Sequence, residues 1–581
     1  MSSVMRRLAL VGLVQGIVLL GLHQASQDGM WLRTQAPLLL GLLYATVALP
    51  LAWYLTEGID GLSPRRRRVT VLLVGVVIAV LGACEGLVGA DPSGEARFGM
   101  SMIAGLALGF VGIPLLVHAE RGGRLGWRWH YAALFRTAWR NAMMMIVAGI
   151  LTGILWGVLI AGAGLMRSIG LDIVWDAISS SWFYLPATAA VFASATALAV
   201  VRADTLVALR RFWLSMNQAF LPLVLLFSVK WTVALPFTGL DVLFRTKMAG
   251  FALLWFAALA INFMNAAYQD GQSPPPFTHW LRRTVSLAWW TMLVVVAVVG
   301  IALFLRIGQY GWSADRVWGI FVLVMAAGYT LGYSLSGLLP ARGWMWSVGQ
   351  TNVVMALVMC AGLIALSSPI ADARRIAVNS QVERLLNGKT PPEKFDLRYL
   401  DQSSGVYGRN ALQVLADGKS GHPQAAQFAA LVQTYRKAMA ERSRPYADLS
   451  DDTLRQQWKL EPAGTPAQPE LIDALLARLR SQRPSSDETK CLESINSCFL
   501  WMGDVNGDAT PELLLVVDRG WVRNVLVYRW EPAAKQLTRI GKIERVSKEW
   551  VAALRQGKAQ MVPSPLRDIE AGGSRVRILS E

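Results

Sequence analysis

The stretch VSLAWWTMLVVVAVVGIALFL, residues 285–305, decides the fold. It contains no charged side chain and is fenced by Arg282-Arg283 on one side and Arg306 on the other. A helix rises about 1.5 Å per residue, so about 20 apolar residues cross the roughly 30 Å hydrocarbon core of a bilayer. Inside that core the backbone finds no water, and a single helix satisfies its amides and carbonyls internally. Residues 285–305 therefore predict a transmembrane helix.

Working outward, ten further runs have the same character: 8–22, 36–56, 69–89, 100–118, 141–165, 182–201, 212–235, 248–266, 317–337 and 347–367. The first is the weakest, being short, containing Gln15 and following Arg6-Arg7. A secretory signal peptide is its alternative reading. No A-x-A cleavage site follows it, which favours an uncleaved helix.

Charge confirms that the apolar part is confined. The 581 residues are 54% hydrophobic and 16% charged, with mean hydropathy +0.39, against about 25% charged in soluble domains. Up to residue 369 there are 25 Lys/Arg and 13 Asp/Glu, and the rest of the chain carries 31 and 26. The break sits at Ser367-Ser368-Pro369. The sequence thus predicts an α-helical polytopic membrane protein with eleven spans and a C-terminal α+β soluble domain. Its expected divisions are a transmembrane domain over 1–369, a helical segment over 370–485 and a small α+β domain over 486–581.

A net charge of +17 raises nucleic acid as a partner, but its distribution excludes that reading. Most of the excess lies on short loops of the membrane half, where basic residues set topology, and the soluble half has no concentrated basic stripe. The expected partners are the lipid bilayer and an envelope protein. The 23 Trp also suit a membrane–water boundary; Trp53, Trp127, Trp129, Trp344 and Trp346 lie near span ends.

Counting basic residues on alternate sides gives 17 on the side of Arg6, Arg65–Arg68, Arg136, Arg140, Arg210 and Arg282, and 7 on the side of Arg33, Arg167 and Arg306. The richer side is expected to be cytoplasmic. Eleven spans then place the N-terminus inside and the C-terminal domain outside, although Arg374 and Arg375 oppose this. Cys491 and Cys498, in KCLESINSC, suggest a disulfide in an oxidising compartment. Two unpaired thiols are the alternative, and a zinc pair fits poorly because no His or further Cys is near. Together these features point to a bacterial inner membrane with a periplasmic domain.

Within the soluble part, helical spacing predicts helices over 371–388, 408–416, 423–441 and 469–481. From Ser497 the pattern changes. CFLWMGDV, ELLLVV, VRNVLVYRW and QLTRIGKI are β-branched and aromatic-rich runs separated by turn residues, which predicts a small antiparallel β-meander. A short helix over 547–555 and a final strand over 575–579 follow.

Charges buried in a bilayer are costly and usually functional. Lys230 and Glu85 lie near span ends, where they can reach the interface. Asn262 and Asn265, three residues apart on one span, either bond neighbouring helices or, with Lys230, line a cavity. Pro222 and Pro236 bracket one span; a proline can mark a break lining a site, whereas Pro236 reads better as the span's end.

The most specific local chemistry is GDVNGDATPELLLVV, residues 503–517. Asp504, Asn506, Asp508, Thr510 and Glu512 alternate by two around Gly507. Calcium takes six to eight oxygens, and this set can offer them around a tight turn. No Glu stands at an EF-hand's position 12, and strands flank the loop. The loop resembles the D-x-[DN]-x-D-G loops of integrin-type β-propeller repeats, which implies calcium, but it occurs once, which excludes a propeller. The alternative is a hairpin turn capped by its own Asp and Asn side chains.

Five runs in the middle of the chain carry a broader resemblance: RRFWLSMNQAFLPLVLL (210–226), LPFTGLDVLF (235–244), NAAYQDG (265–271), RIGQYGWSADRVW (306–318) and GYTLGYSLSGL (328–338). They resemble the bacterial membrane-protein family catalogued as domain of unknown function 4153, and the DVNGD-x-x-PE segment also fits. The resemblance implies a multi-span inner-membrane protein and brings no catalytic residues.

For function, H-E-x-x-H, G-x-S-x-G, Walker and C-x-x-C motifs are all absent, and five His leave little for metal or general-base chemistry. The sequence favours a non-enzymatic envelope scaffold or sensor whose outer domain binds a partner. A transporter or lipid-handling protein is the runner-up, and lipid-linked glycosyl transfer a distant third.

Overall fold

The computed structural model describes residues 3–26, 31–89, 100–122, 126–169, 171, 173–239, 249–338, 343–418, 422–442, 459–460, 469–481, 498–505, 507, 510–519, 522–531, 536–544, 546, 548–558, 569–571 and 574–576. The chain forms two compact units, Met1–Val432 and Gln433–Glu581.

In the first unit the apolar runs are helices: α1 (Ser3–Ala25), α2 (Ala36–Thr56), α3 (Pro64–Gly89), α4 (Met100–Val117), α5 (Tyr131–Ser168), the short α6 (Ile173–Ser179), α7 (Ser181–Val201), α8 (Ala203–Thr238), α9 (Ala249–Tyr268), α10 (His279–Tyr310), α11 (Ala314–Ser336) and α12 (Val348–Leu366). Ten of these are long and apolar enough to cross a membrane, and α4 is a shorter apolar helix. A two-stranded hairpin, β1 (Glu120–Arg121) with β2 (Trp127–Arg128), joins α4 to α5. The quoted stretch lies in α10, whose Trp289, Met292, Val296 and Val299 are buried in a cluster with Ala257, Ala260, Met264 and Tyr333. Its Leu287, Ile301, Phe304 and Leu305 are exposed. An exposed apolar face on every long helix is what a bilayer solvates.

Small residues let backbones approach. A Cβ on Gly86 would meet the Ala36 carbonyl oxygen at 2.4 Å, and one on Gly12 would meet the Ala193 Cβ at 2.4 Å. These glycines seat α3 on α2 and α1 on α7, the small-residue packing that replaces hydrophobic drive in lipid.

Three more helices follow, α13 (Ala373–Leu386), α14 (Gly405–Ala416) and α15 (Ala425–Arg442). α13 and α14 belong to the membrane-spanning unit, which runs on to Val432. The expected division near Pro369 marks where the spans stop, and the compact unit extends beyond it.

The second unit is an α+β layer structure. Its sheet runs in the order β3-β4-β5-β6-β7, with β3 (Lys459–Leu460), β4 (Cys498–Gly503), β5 (Glu512–Arg519), β6 (Val522–Glu531) and β7 (Gln536–Glu544). β4 to β7 form the expected antiparallel meander, while β3 adds a parallel edge pair. Helix α16 (Pro469–Ser481) covers one face through Leu471, Leu475 and Leu476, which meet Leu513, Leu515 and Val517. Helix α17 (Lys548–Arg555) covers the other through Val551 and Leu554, which meet Leu514 and Val516. A final hairpin pairs β8 (Ile569–Ala571) with β9 (Ser574–Val576).

Candidate functional site

Four polar side chains from four spans meet inside the first unit. Tyr131 opens α5, Asn265 lies in the last turn of α9, Tyr333 near the end of α11 and Asn352 near the start of α12. Asn352 Nδ2 donates to Asn265 Oδ1 at 2.6 Å and to the Tyr131 hydroxyl at 2.9 Å. Asn265 Nδ2 donates to the Tyr333 hydroxyl at 3.1 Å, and that hydroxyl donates to Asn352 Oδ1. Each group has a partner, so the cluster ties four helices together near one end of the bundle.

Asn262, three residues earlier on α9, has a different partner. Its Nδ2 donates to Asn217 Oδ1 on α8 at 3.0 Å. Lys230 is exposed. Of the three residues named as a candidate cavity, Asn265 thus belongs to the four-helix network, Asn262 bonds α8 and Lys230 is exposed.

At the far end of α3, Glu85 is only 7% exposed. Arg374 of α13 grips it with two parallel bonds, Nη1 to Oε1 at 2.8 Å and Nη2 to Oε2 at 3.1 Å. Arg374 Nη2 also reaches Asp372 Oδ2 at 3.0 Å, and Asp372 caps α13 by accepting the Arg374 amide at 2.8 Å. Burial alone would lower the Arg374 pKa, but the two carboxylates outweigh it and raise it. The sequence places Glu85 near a span end, within reach of the interface; its partner stands 289 positions away, beyond any local signal.

A basic cavity lies at the other end of the bundle. It has a volume of about 510 Å³ between the α2–α3 turn, the end of α4, the first turns of α5 and the α7–α8 junction. Asp60, His118, Arg136, Thr137, Arg140 and Arg210 line it. Arg140 Nη2 donates to the carbonyls of Glu57 at 2.7 Å and Leu55 at 3.3 Å, while its Nε is buried without a partner. Asn141, fully buried, leaves both amide atoms unpaired. His118 Nε2 lies 2.7 Å from Thr137 Oγ1. Burial, with Arg66 and Arg136 nearby, holds the His118 pKa below its ordinary value, so the ring is neutral at pH 7. A second, apolar groove of about 890 Å³ is lined by Val69, Leu73, Leu108, Cys360 and Ile364, with Arg66, Trp127 and Trp129 also lining it.

In the second unit the acidic loop joins β4 to β5. Asp504 Oδ1 accepts the Gly507 amide at 2.6 Å, a side-chain-capped turn, and Gly507 has φ +80°. Glu512 is 2% exposed; its Oε2 accepts the Val505 amide at 3.0 Å and its Oε1 faces Arg529 Nε at 3.5 Å. Thr510 is described, whereas Asn506 and Asp508 lie outside the described residues. Among the described residues no group of three or more His, Cys, Asp or Glu is placed to hold a metal. Cys498 is buried in β4. Cys491 lies outside the described residues, and no disulfide joins two described cysteines.

No family model, curated protein or solved structure matches the chain.

Proposed function

We propose that the chain is a non-enzymatic scaffold or sensor of a bacterial inner membrane, a member of the family it resembles, with a partner-binding C-terminal domain in the periplasm. One observation carries the choice over transport. Of the side chains that would line a polar path, Asn262 and Asn265 each bond a neighbouring helix and Lys230 is exposed. Deep unpaired charge, the usual mark of an ion or substrate path, is not what these residues supply.

The partner-binding reading rests on β7. It closes one edge of the sheet and leaves Ile540 and Ile543 exposed at 42% and 43%. Among the described residues β7 is a terminal strand of the sheet order, and an edge strand with exposed apolar side chains suits addition of an extended segment from another protein. Calcium is the cation proposed for the acidic loop, with Asp504 and Glu512 pre-set by their amide bonds. Lipid handling is the second reading, favoured by the apolar groove beside Arg66 and Trp127.

A photoreactive residue at position 540 of the full-length protein, activated in native membranes, tests the first reading. The expected result is one discrete adduct, lost when Lys542→Pro blocks the strand edge. A chain that gives no adduct and moves a solute across proteoliposomes would replace it with transport.

A further inference from the structure

We propose that the basic cavity between the α2–α3 turn, α4, α5, α7 and α8 binds a phosphate group, as a monoester or a diester. Three guanidinium side chains, Arg136, Arg140 and Arg210, converge on it, and Asp60 is the one carboxylate among its lining residues. Its volume of about 510 Å³ lies within the usual few hundred Å³ of ligand sites. The arginines are not spent on carboxylates. Arg136 Nε bonds only the Ala132 carbonyl of its own helix, and Arg140 bonds two backbone carbonyls. Arg210 makes no hydrogen bond or ion pair with another described residue; Asp270 acts on it only at a distance.

An unpartnered buried donor marks the same place. Arg140 Nε has no protein partner, and buried polar atoms without partners are rare and call for a ligand, ion or water. Beside it, Thr137 adds a hydroxyl held by His118. Planar guanidinium forks match phosphate oxygens better than ammonium groups do, and every basic group lining this cavity except neutral His118 is an arginine. The cavity is built from helix ends, which places it at headgroup depth. The same chemistry is offered there by an anionic phospholipid and by a soluble phosphate ester.

The test uses the full-length protein and two probes. In nanodiscs containing phosphatidylglycerol, native mass spectrometry reads retained lipid. In discs of phosphatidylcholine alone, glycerol 3-phosphate is titrated and the unfolding temperature is read. Binding in at least one arm is expected, weakened about tenfold or more in Arg136→Gln/Arg210→Gln, unchanged in Arg283→Gln, and largely kept in Arg210→Lys. Which arm responds identifies the source of the phosphate. Absence of binding by the wild-type protein in both arms overturns the proposal, even if the double variant fails to fold. So does binding that is indifferent to Arg136 and Arg210.

Discussion

Asp504 and Glu512 show how side chains that look like metal ligands can first serve the backbone. Asp504 accepts the Gly507 amide and Glu512 the Val505 amide, so the turn is closed by the hydrogen bonds its own sequence supplies. Calcium would have to share Glu512 with Val505 and Arg529, which argues for an affinity no tighter than the roughly 10⁻⁴–10⁻³ M of extracellular sites. Terbium reports on this, because Trp501 stands three residues before Asp504 and can sensitise a bound lanthanide. Trp-sensitised emission from the full-length protein should appear, be displaced by millimolar calcium, vanish in Asp508→Asn and survive in Asp401→Asn. Emission that is absent, or equal in Asp508→Asn and wild type, would leave the loop a turn and nothing more. The alternation of acidic residues around Gly507 was legible in the sequence. The rival use of Glu512 was not, because it depends on Arg529 from β6.

Single elements divide sharply into what hydropathy reveals and what it hides. All eleven apolar runs are helices, since a bilayer permits little else. Hydropathy places the starts of α5 and α8 at 141 and 212, yet they begin at Tyr131 and Ala203. The missing turns are rich in arginine, so apolar runs end before them, and they carry Arg136, Arg140 and Arg210 of the basic cavity. In the second unit, ELLLVV shows no alternation because α16 and α17 bury both faces of β5, as in strands covered on both sides. The Glu85–Arg374 pair is another hidden link, tying α3 to α13. Losing one partner of a buried pair costs about 3–5 kcal/mol because the other charge is left unpaired. Arg374→Met should therefore lower the unfolding midpoint more than Glu85→Met, since Arg374 keeps Asp372 when Glu85 is gone. Glu85→Met/Arg374→Met should recover part of the loss. Thermal unfolding of the purified protein decides it, and additive effects in the double variant would reduce the pair to independent residues.

The whole molecule must obey one constraint: residues that touch lie at the same end of the bundle. Asp60 follows two spans, His118 four and Arg210 six, counting α1, α2, α3, α4, α5 and α7, and all three line one cavity. Each successive pair is therefore separated by two crossings, and the shorter α4 must count as one of them. Glu85 ends the third span and Arg374 follows the eleventh, and they bond, so the intervening crossings are even in number there too. Residues after α12 then emerge at the end opposite the arginine cavity, and beyond Leu366 no described helix is long and apolar enough to cross again. If the arginine-rich end is the cytoplasmic one, as the positive-inside rule leads us to propose, the crossing count puts the C-terminus in the periplasm. Alkaline phosphatase fused after Asp417 or after Glu581 should be active, and the same enzyme fused after Ser63 should be inactive. A fluorescent protein that matures only in the cytoplasm should give the reverse pattern at all three positions. Fluorescence without phosphatase activity at Glu581, together with phosphatase activity at Ser63, would invert the molecule while preserving the crossing count. Fluorescence at both Ser63 and Asp417 would break the count itself, and with it the ion pair that joins α3 to α13.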